Sequence, residues 1–418
     1  MLELIAAFIG VVALLLVIIV LLLPSPTRQP IMSVSTPLSV GSTEFMATIA
    51  GLLHTDIKKG GAIEIIDNGD NFLPDLLQSI QHAHRTINIT DFIWKTGTFS
   101  DQVFDALTAA AARGVQVRVL TDAQQTILSK DKLKAFETAG GRFEQFHRMS
   151  PFKIALVNKR THRRAMIFDG TEAYLGGIAI DDAWLGDGRT KGKWRDLMFR
   201  VHDTMALSVQ SAFADEWYET TGEVIAGDAF YPNDPQTGSI PYINIVSQPN
   251  DHWSPIESLY LLSLRSAKKN IYIQNPYFLP DSELLDVLEN AARSGVDVRV
   301  MVPKTVFSPV GHAAEINYSS MLDAGIKLYE YQTLMHTKTI TIDGVWSIIG
   351  SSNFDNRSRH INNENVFAIS DTAFAKEIEA SFQKDVGFSQ EITKDSWGTR
   401  WLIWSWYAYL SGIFAKQY

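Results

Sequence analysis

The stretch Met335 to Arg357, MHTKTITIDGVWSIIGSSNFDNR, decides how this chain is read. Thr, Ile and Val favour strands, and Asp343-Gly344 between two apolar runs predicts a hairpin turn. Side chains two apart on a strand share a face, so His336 and Lys338 point one way and Thr337 and Thr339 the other. On the return strand, Ser351 and Asn353 can share a face, and Gly350 leaves its backbone open to a ligand. One surface then offers an imidazole, an ammonium, a hydroxyl and an amide, an inventory suited to a phosphate. Parity puts Asp343 on the opposite face, where it closes the turn instead of touching the phosphate.

The pattern recurs once. Thr161 to Ile180 reads THRRAMIFDGTEAYLGGIAI, and His162, Asp169 and Gly176 each precede His336, Asp343 and Gly350 by 174 positions. A lone His-x-Lys triplet carries no information. Two ungapped copies of His, a basic residue, Asp and Gly, each with an Asp-Gly turn, do.

The His336-x-Lys338 spacing to Asp343, followed by Gly350-Ser351-x-Asn353 and present twice, resembles the phospholipase D superfamily, most closely its bacterial cardiolipin synthase branch. GVDVRVMVP at 295–303, AGIKLYEY at 324–331, Trp194 to Asp196 and Asn353 to Ser358 support the likeness, which covers about residues 62–386. It implies a phospholipase D-like α/β fold: two duplicated β-sheet halves flanked by helices, the active site at their interface. It implies a catalytic set of His162, Arg164, Asp169, His336, Lys338 and Asp343, with His162 as nucleophile and His336 as acid and base. It implies that Asp196 and Glu364 hydrogen-bond the histidines, fixing their tautomers. Ser351 and Asn353 are the expected phosphate donors. The departures all lie in the first copy: Arg164 replaces the Lys, and Gly177 and Ala179 stand where the second copy has Ser351 and Asn353. Arg keeps the charge with a wider plane.

The rest of the chain repeats in the same order. Helices are expected at 71–84, 101–113 and 132–139, with strands at 86–94, 115–120 and 142–146. Their second-half counterparts are helices at 256–267, 281–293 and 314–324 and strands at 270–274, 296–302 and 326–331. Gly114 matches Gly295, and Gly140 matches Gly325. The halves are expected at residues 62–225 and 240–392.

Leu4 to Leu23 is an unbroken apolar run of 20 residues, stopped by Pro24 and Pro26. It is long enough to span a bilayer as one helix. Glu3 before it, and the lack of Lys or Arg there, argue for an anchor over residues 1–24 and against a cleaved signal peptide. Arg28 just after it leans toward a cytoplasmic body. Residues 25–61 read as a linker with local helix near Phe45 to His54. The tail at 395–418 carries Trp397, Trp401, Trp404, Trp406 and four further aromatic rings, which favours a membrane-surface helix in the headgroup zone over packing on the core.

The 418 residues carry a net charge of −9, which disfavours a nucleic-acid partner. The chain has no Cys, and that excludes disulfides and thiolate chemistry. No cluster of acidic residues and His has metal-ligand spacing, so a metal-independent reaction without a cofactor is expected. Three functions fit. One is a membrane-bound phosphatidyltransferase acting on phospholipid such as phosphatidylglycerol through a phosphohistidine. The second is a hydrolase of the same chemistry, and the third is a scaffold whose first half has decayed.

Overall fold

The computed structural model describes residues 32–148, 158–233, 238–248, 253–304 and 315–398. Two mixed sheets form the body. In the first, seven strands run in the order Glu64–Asp67, Leu197–His202, Glu172–Gly176, Ala165–Phe168, Thr86–Asp91, Gln116–Asp122, Arg142–Phe146. In the second, the same order returns as Ile240–Ser247, Glu364–Ser370, Trp346–Gly350, Thr339–Ile342, Asn270–Gln274, Asp297–Pro303, Lys327–Tyr331. Lys58–Gly60 and Ser389–Ile392 extend its two edges to make nine strands. The internal duplication is therefore one of topology as well as sequence. In each half a parallel βαβ run sits beside an antiparallel meander that contains the hairpin.

Each hairpin turn is built as its sequence requires. Asp343 and Gly344 adopt φ of 55° and 66°, and Asp169 and Gly170 adopt 52° and 68°. The matched helix-ending glycines behave alike, with φ of 92° at Gly114 and 93° at Gly295. The helices are Asn68–His82, Thr98–Ala112 and Lys130–Thr138 in the first half, and Pro255–Arg265, Ser282–Arg293 and Tyr318–Ala324 in the second. The last is shorter than expected because Glu315–Asn317 winds as a 3-10 turn. The strand expected over 86–94 stops at Asp91, so the chain breaks away at Phe92.

An apolar seam welds the halves together. Phe199 of the first half and Phe374 of the second stand 6.0 Å apart at their ring centroids, and one buried cluster joins Leu175, Phe199 and Val201 of the first half to Ile349, Phe367 and Phe374 of the second. Continuous packing of this kind holds the halves in one register. Two expectations need correction. Residues 32–61 are no bare linker: Thr43–Leu52 is a helix capped by Ser42, and its Phe45 lies edge-on to Trp346 at 5.0 Å inside the second half's core. The apolar spacing of Phe45, Met46, Ile49 and Ala50 makes that burial favourable. Trp397, counted with the aromatic tail, packs on Tyr318 at 5.1 Å and is buried. Residues 399–418, and the apolar run at 4–23, lie outside the described residues. Among the described residues no helix is long and apolar enough to cross a membrane.

Candidate active site

The motif histidines sit just before the hairpins, where each half reaches into the other. Thr161 makes a parallel bridge to Asn363, and the His162 N–H donates to the Asn363 carbonyl at 2.9 Å. Symmetrically, Leu334–Met335 pairs in parallel with Trp194–Arg195, and the His336 N–H donates to the Arg195 carbonyl at 2.7 Å. Each bridge places the next residue of one half, a carboxylate, against the histidine of the other.

The carboxylates are thus exchanged. His162 Nδ1 donates to Glu364 Oε1 at 2.9 Å, across 202 residues of sequence. His336 Nδ1 donates to Asp196 Oδ2 at 2.9 Å, across 140. All four side chains are almost completely buried. With Nδ1 protonated, each Nε2 carries the lone pair. Beside each imidazole lies the cation of the same motif. Arg164 Nη1 is 3.4 Å from His162 Nε2 and donates to the His162 carbonyl at 3.1 Å. Lys338 Nζ lies against the His336 ring, 2.9 Å from Nδ1 and 3.1 Å from Nε2, and donates to the His336 carbonyl at 2.8 Å. Two residues along an extended segment do share a face, as the sequence implied.

Electrostatics shows that the two half-sites are one cluster. Burial, opposed by Glu364 and helped by the charges of Arg164 and Lys338, pushes His162 down to about 4. Burial, then Lys338, push His336 down to about 3, and Arg164 contributes from the other half. Burial also holds Lys338 well below the usual lysine range. Asp196 and Glu364, although burial works against their charge, are held below the ordinary carboxylate range, each by its histidine first. These shifts favour neutral imidazoles and ionised carboxylates near neutral pH.

Not every expected site residue joins this cluster. Asp343 accepts from the backbone N–H groups of Lys268, Lys269 and Asn270 at 2.7 to 3.1 Å. Asp169 does the same for His84, Arg85 and Thr86 at 2.8 to 2.9 Å. Both aspartates pin the hairpin turn to the start of a neighbouring strand and touch neither histidine, which parity anticipated and the catalytic grouping did not. Ser351 Oγ donates to Glu364 Oε2 at 2.5 Å, so its hydroxyl serves the carboxylate instead of standing free for a phosphate. Asn353 is buried with its side-chain oxygen unpartnered.

The first half replaces the missing hydroxyl in another way. A Cβ at Gly177 would collide with the Asp196 carboxylate, so no Ser fits there. The indole N–H of Trp184 donates to Asp196 Oδ2 at 2.9 Å instead. Trp184 and Trp194 stack at 4.8 Å and both stand edge-on to His336 at 5.2 Å. Phe92 takes the corresponding place beside His162 at 4.8 Å. Among the described residues no three His, Asp or Glu side chains converge to hold a metal ion.

A family model for the cardiolipin synthase, phospholipase D-like domain matches residues 76–212 and 260–386, one segment on each half. The chain belongs to the cardiolipin synthase family of phospholipase D-like proteins. It is 33% identical over 363 residues to cardiolipin synthase 2 of Staphylococcus epidermidis, covering 85% of this chain and 73% of that one. It is 30% identical to cardiolipin synthase of Listeria welshimeri over 347 residues, 81% of this chain and 71% of the other. The fold resembles the crystal structure of phosphatidylserine synthase from Haemophilus influenzae, with a TM-score of 0.68 at 13% identity over 89% of this chain and 100% of that one. It also resembles polyphosphate kinase from Porphyromonas gingivalis, at a TM-score of 0.52 over 90% and 54%. Both likenesses speak to the fold alone. Within this family's motifs, sequence reasoning missed Trp184 and Phe92. Neither has a spacing signal: Trp184 reaches His336 through the exchanged strands, and Phe92 reaches His162 from the end of the neighbouring strand of its own half.

Proposed function

We propose that this protein is a membrane-bound phosphatidyltransferase that makes cardiolipin from phosphatidylglycerol through a phosphohistidine. One observation carries the reading: two histidines, each oriented by a buried carboxylate from the opposite half, share one buried cluster with two cations. Such an arrangement suits two-step displacement at phosphorus. The lone pair of His162 Nε2 attacks the phosphorus of one phosphatidylglycerol, and the bond to the glycerol oxygen breaks. A protonated His336 gives its Nε2 proton to that oxygen, and glycerol leaves. The hydroxyl of a second phosphatidylglycerol then gives its proton to His336 while its oxygen attacks phosphorus, and the nitrogen–phosphorus bond breaks.

Arg164 and Lys338 meet the charge on the non-bridging oxygens. The phosphodiester's negative charge offsets the two cations that depress the histidines, so substrate entry itself favours a protonated His336. Cardiolipin synthases of Staphylococcus and Listeria as relatives support the choice of lipid, the apolar run at 4–23 supports a membrane anchor, and Arg28 after it favours a body on the cytoplasmic side. The test is lipid turnover in detergent–phospholipid micelles supplied with phosphatidylglycerol, with products read by mass. Cardiolipin made by the wild type and absent from His162→Ala and His336→Ala supports the reading. Phosphatidic acid alone would move the protein to the hydrolases, and no product at all would favour the scaffold.

A further inference from the structure

The two half-sites differ in a residue that neither motif contains. Ile87 pairs with Phe168 and Ile271 with Ile342, so the two sheets superpose in register, and Asp91 and Asn275 hold equivalent positions at their strand ends. They make equivalent backbone bonds. Asp91 Oδ2 accepts from the Ile180 N–H at 2.9 Å, and Asn275 Oδ1 accepts from the matching Phe354 N–H at 3.0 Å. Each sits by its half's cation. Asn275 and Lys338 line one small cavity. Asp91 Oδ1 faces Arg164 Nε at 4.0 Å, with both side chains fully buried.

The Arg164 Nε and Nη2 donors and the Asp91 Oδ1 acceptor have no hydrogen-bond partner. A buried guanidinium edge left unbonded invites an anion, while a carboxylate 4.0 Å away competes for the same charge. At the equivalent position the second half has no such competitor, because Asn275 is neutral; the carboxylates that act on Lys338 are Asp196, Glu364 and Asp355.

We propose that Asp91 is a positioning residue that acts through Arg164: as its counter-charge it weakens the hold of the first half-site on the phosphodiester relative to the half built on Lys338 and Asn275. This rests on reading the cluster as a phosphodiester site. Weak ground-state holding on one side keeps the product phosphodiester from being trapped.

The proposal has a pH signature. Burial, opposed by Arg164 and by backbone N–H groups, pushes Asp91 up to about 7. Below that pH Asp91 is neutral and Arg164 is free for the anion, and above it the carboxylate competes. The other ionisable groups around Asp91 are already partnered. Asp122, beside its cross-strand neighbour Thr121, is bonded to Arg160 at 2.6 Å. Asp181 pairs with Lys95 at 2.7 Å, and His162 is held by Glu364 at 2.9 Å.

The experiment is binding of diethyl phosphate, whose single charge is constant over the range, to the full-length protein in detergent by calorimetry from pH 5.5 to 8.5. Asp91→Asn keeps the backbone acceptor, as Asn275 shows, and so preserves the fold. Wild-type affinity should fall as pH rises through about 7. Asp91→Asn should bind roughly tenfold tighter at pH 8.5, equal the wild type at pH 5.5 and lack the step. Asn275→Asp should bind more weakly than the wild type at pH 8.5. An Asp91→Asn variant with the wild-type profile, or with weaker binding, would overturn the proposal while leaving the phosphodiester site intact. A wild type that binds no phosphodiester would overturn both.

Discussion

The two halves of the site perform one arrangement with different parts. In the second half, His336 is held by an aspartate that a tryptophan N–H steadies, and its cation is a lysine beside a neutral Asn275. In the first, His162 is held by a glutamate that a serine hydroxyl steadies, and its cation is an arginine beside Asp91. The longer carboxylate goes with the short hydroxyl donor, and the shorter carboxylate with the long indole. The geometry at the imidazole is therefore the same, 2.9 Å in both. Read as sequence, Gly177 is a loss from the first motif. In the structure it is the space that the Asp196 carboxylate needs. Departure from a motif is not decay when another element supplies the missing bond.

The largest test of that equivalence removes the imidazoles. His162→Ala and His336→Ala should each lower turnover by on the order of a thousandfold or more, and the double variant should be scarcely worse than either. Additive losses would mean two independent sites. The next removes the carboxylate charges. Asp196→Asn and Glu364→Gln should lower kcat by roughly a hundredfold to ten-thousandfold with KM for lipid little changed, because the wrong tautomer is presented. A large loss from one and none from the other would break the symmetry.

Smaller effects should follow from the supporting donors. Trp184→Phe and Ser351→Ala each delete one bond to a buried carboxylate, at 2.9 and 2.5 Å, and should cost about tenfold in turnover. A silent Trp184→Phe would show that the indole only packs. A separate signal is in stability. In the unfolded chain both histidines take up protons near pH 6.5, whereas in the folded site they resist until about 4 and about 3. Stability should therefore fall as pH drops from 6.5 towards 4, read from denaturant midpoints. Loss of the two depressed carboxylates adds to the fall at still lower pH.

Much of this was legible in the sequence. The Asp-Gly turns, the glycine-ended helices and the constant offset between motifs disclosed a duplicated α/β fold, since each is a local signal with one structural solution. His162, His336, Lys338, Asp196 and Glu364 were legible as residues. The exchange of carboxylates between halves was not, because it depends on two parallel bridges between strands 140 to 202 positions apart. Asp91 and Phe92 were hidden inside a strand read as running on to Trp94, and only the break at Asp91 turns them towards the site. Ser351 was read as a phosphate donor because the face of a strand was known but its neighbour was not.

The most direct test of the central claim is to catch the intermediate. The full-length protein, mixed with phosphatidylglycerol in micelles and quenched in alkali-stable, denaturing conditions within one turnover, would be digested and its peptides weighed. A phosphatidyl adduct on a single histidine, His162, absent from His162→Ala and accumulating when phosphatidylglycerol is too scarce to serve as acceptor as well as donor, is the expected result. Cardiolipin formation with no adduct on either histidine under any quench would contradict the two-step account.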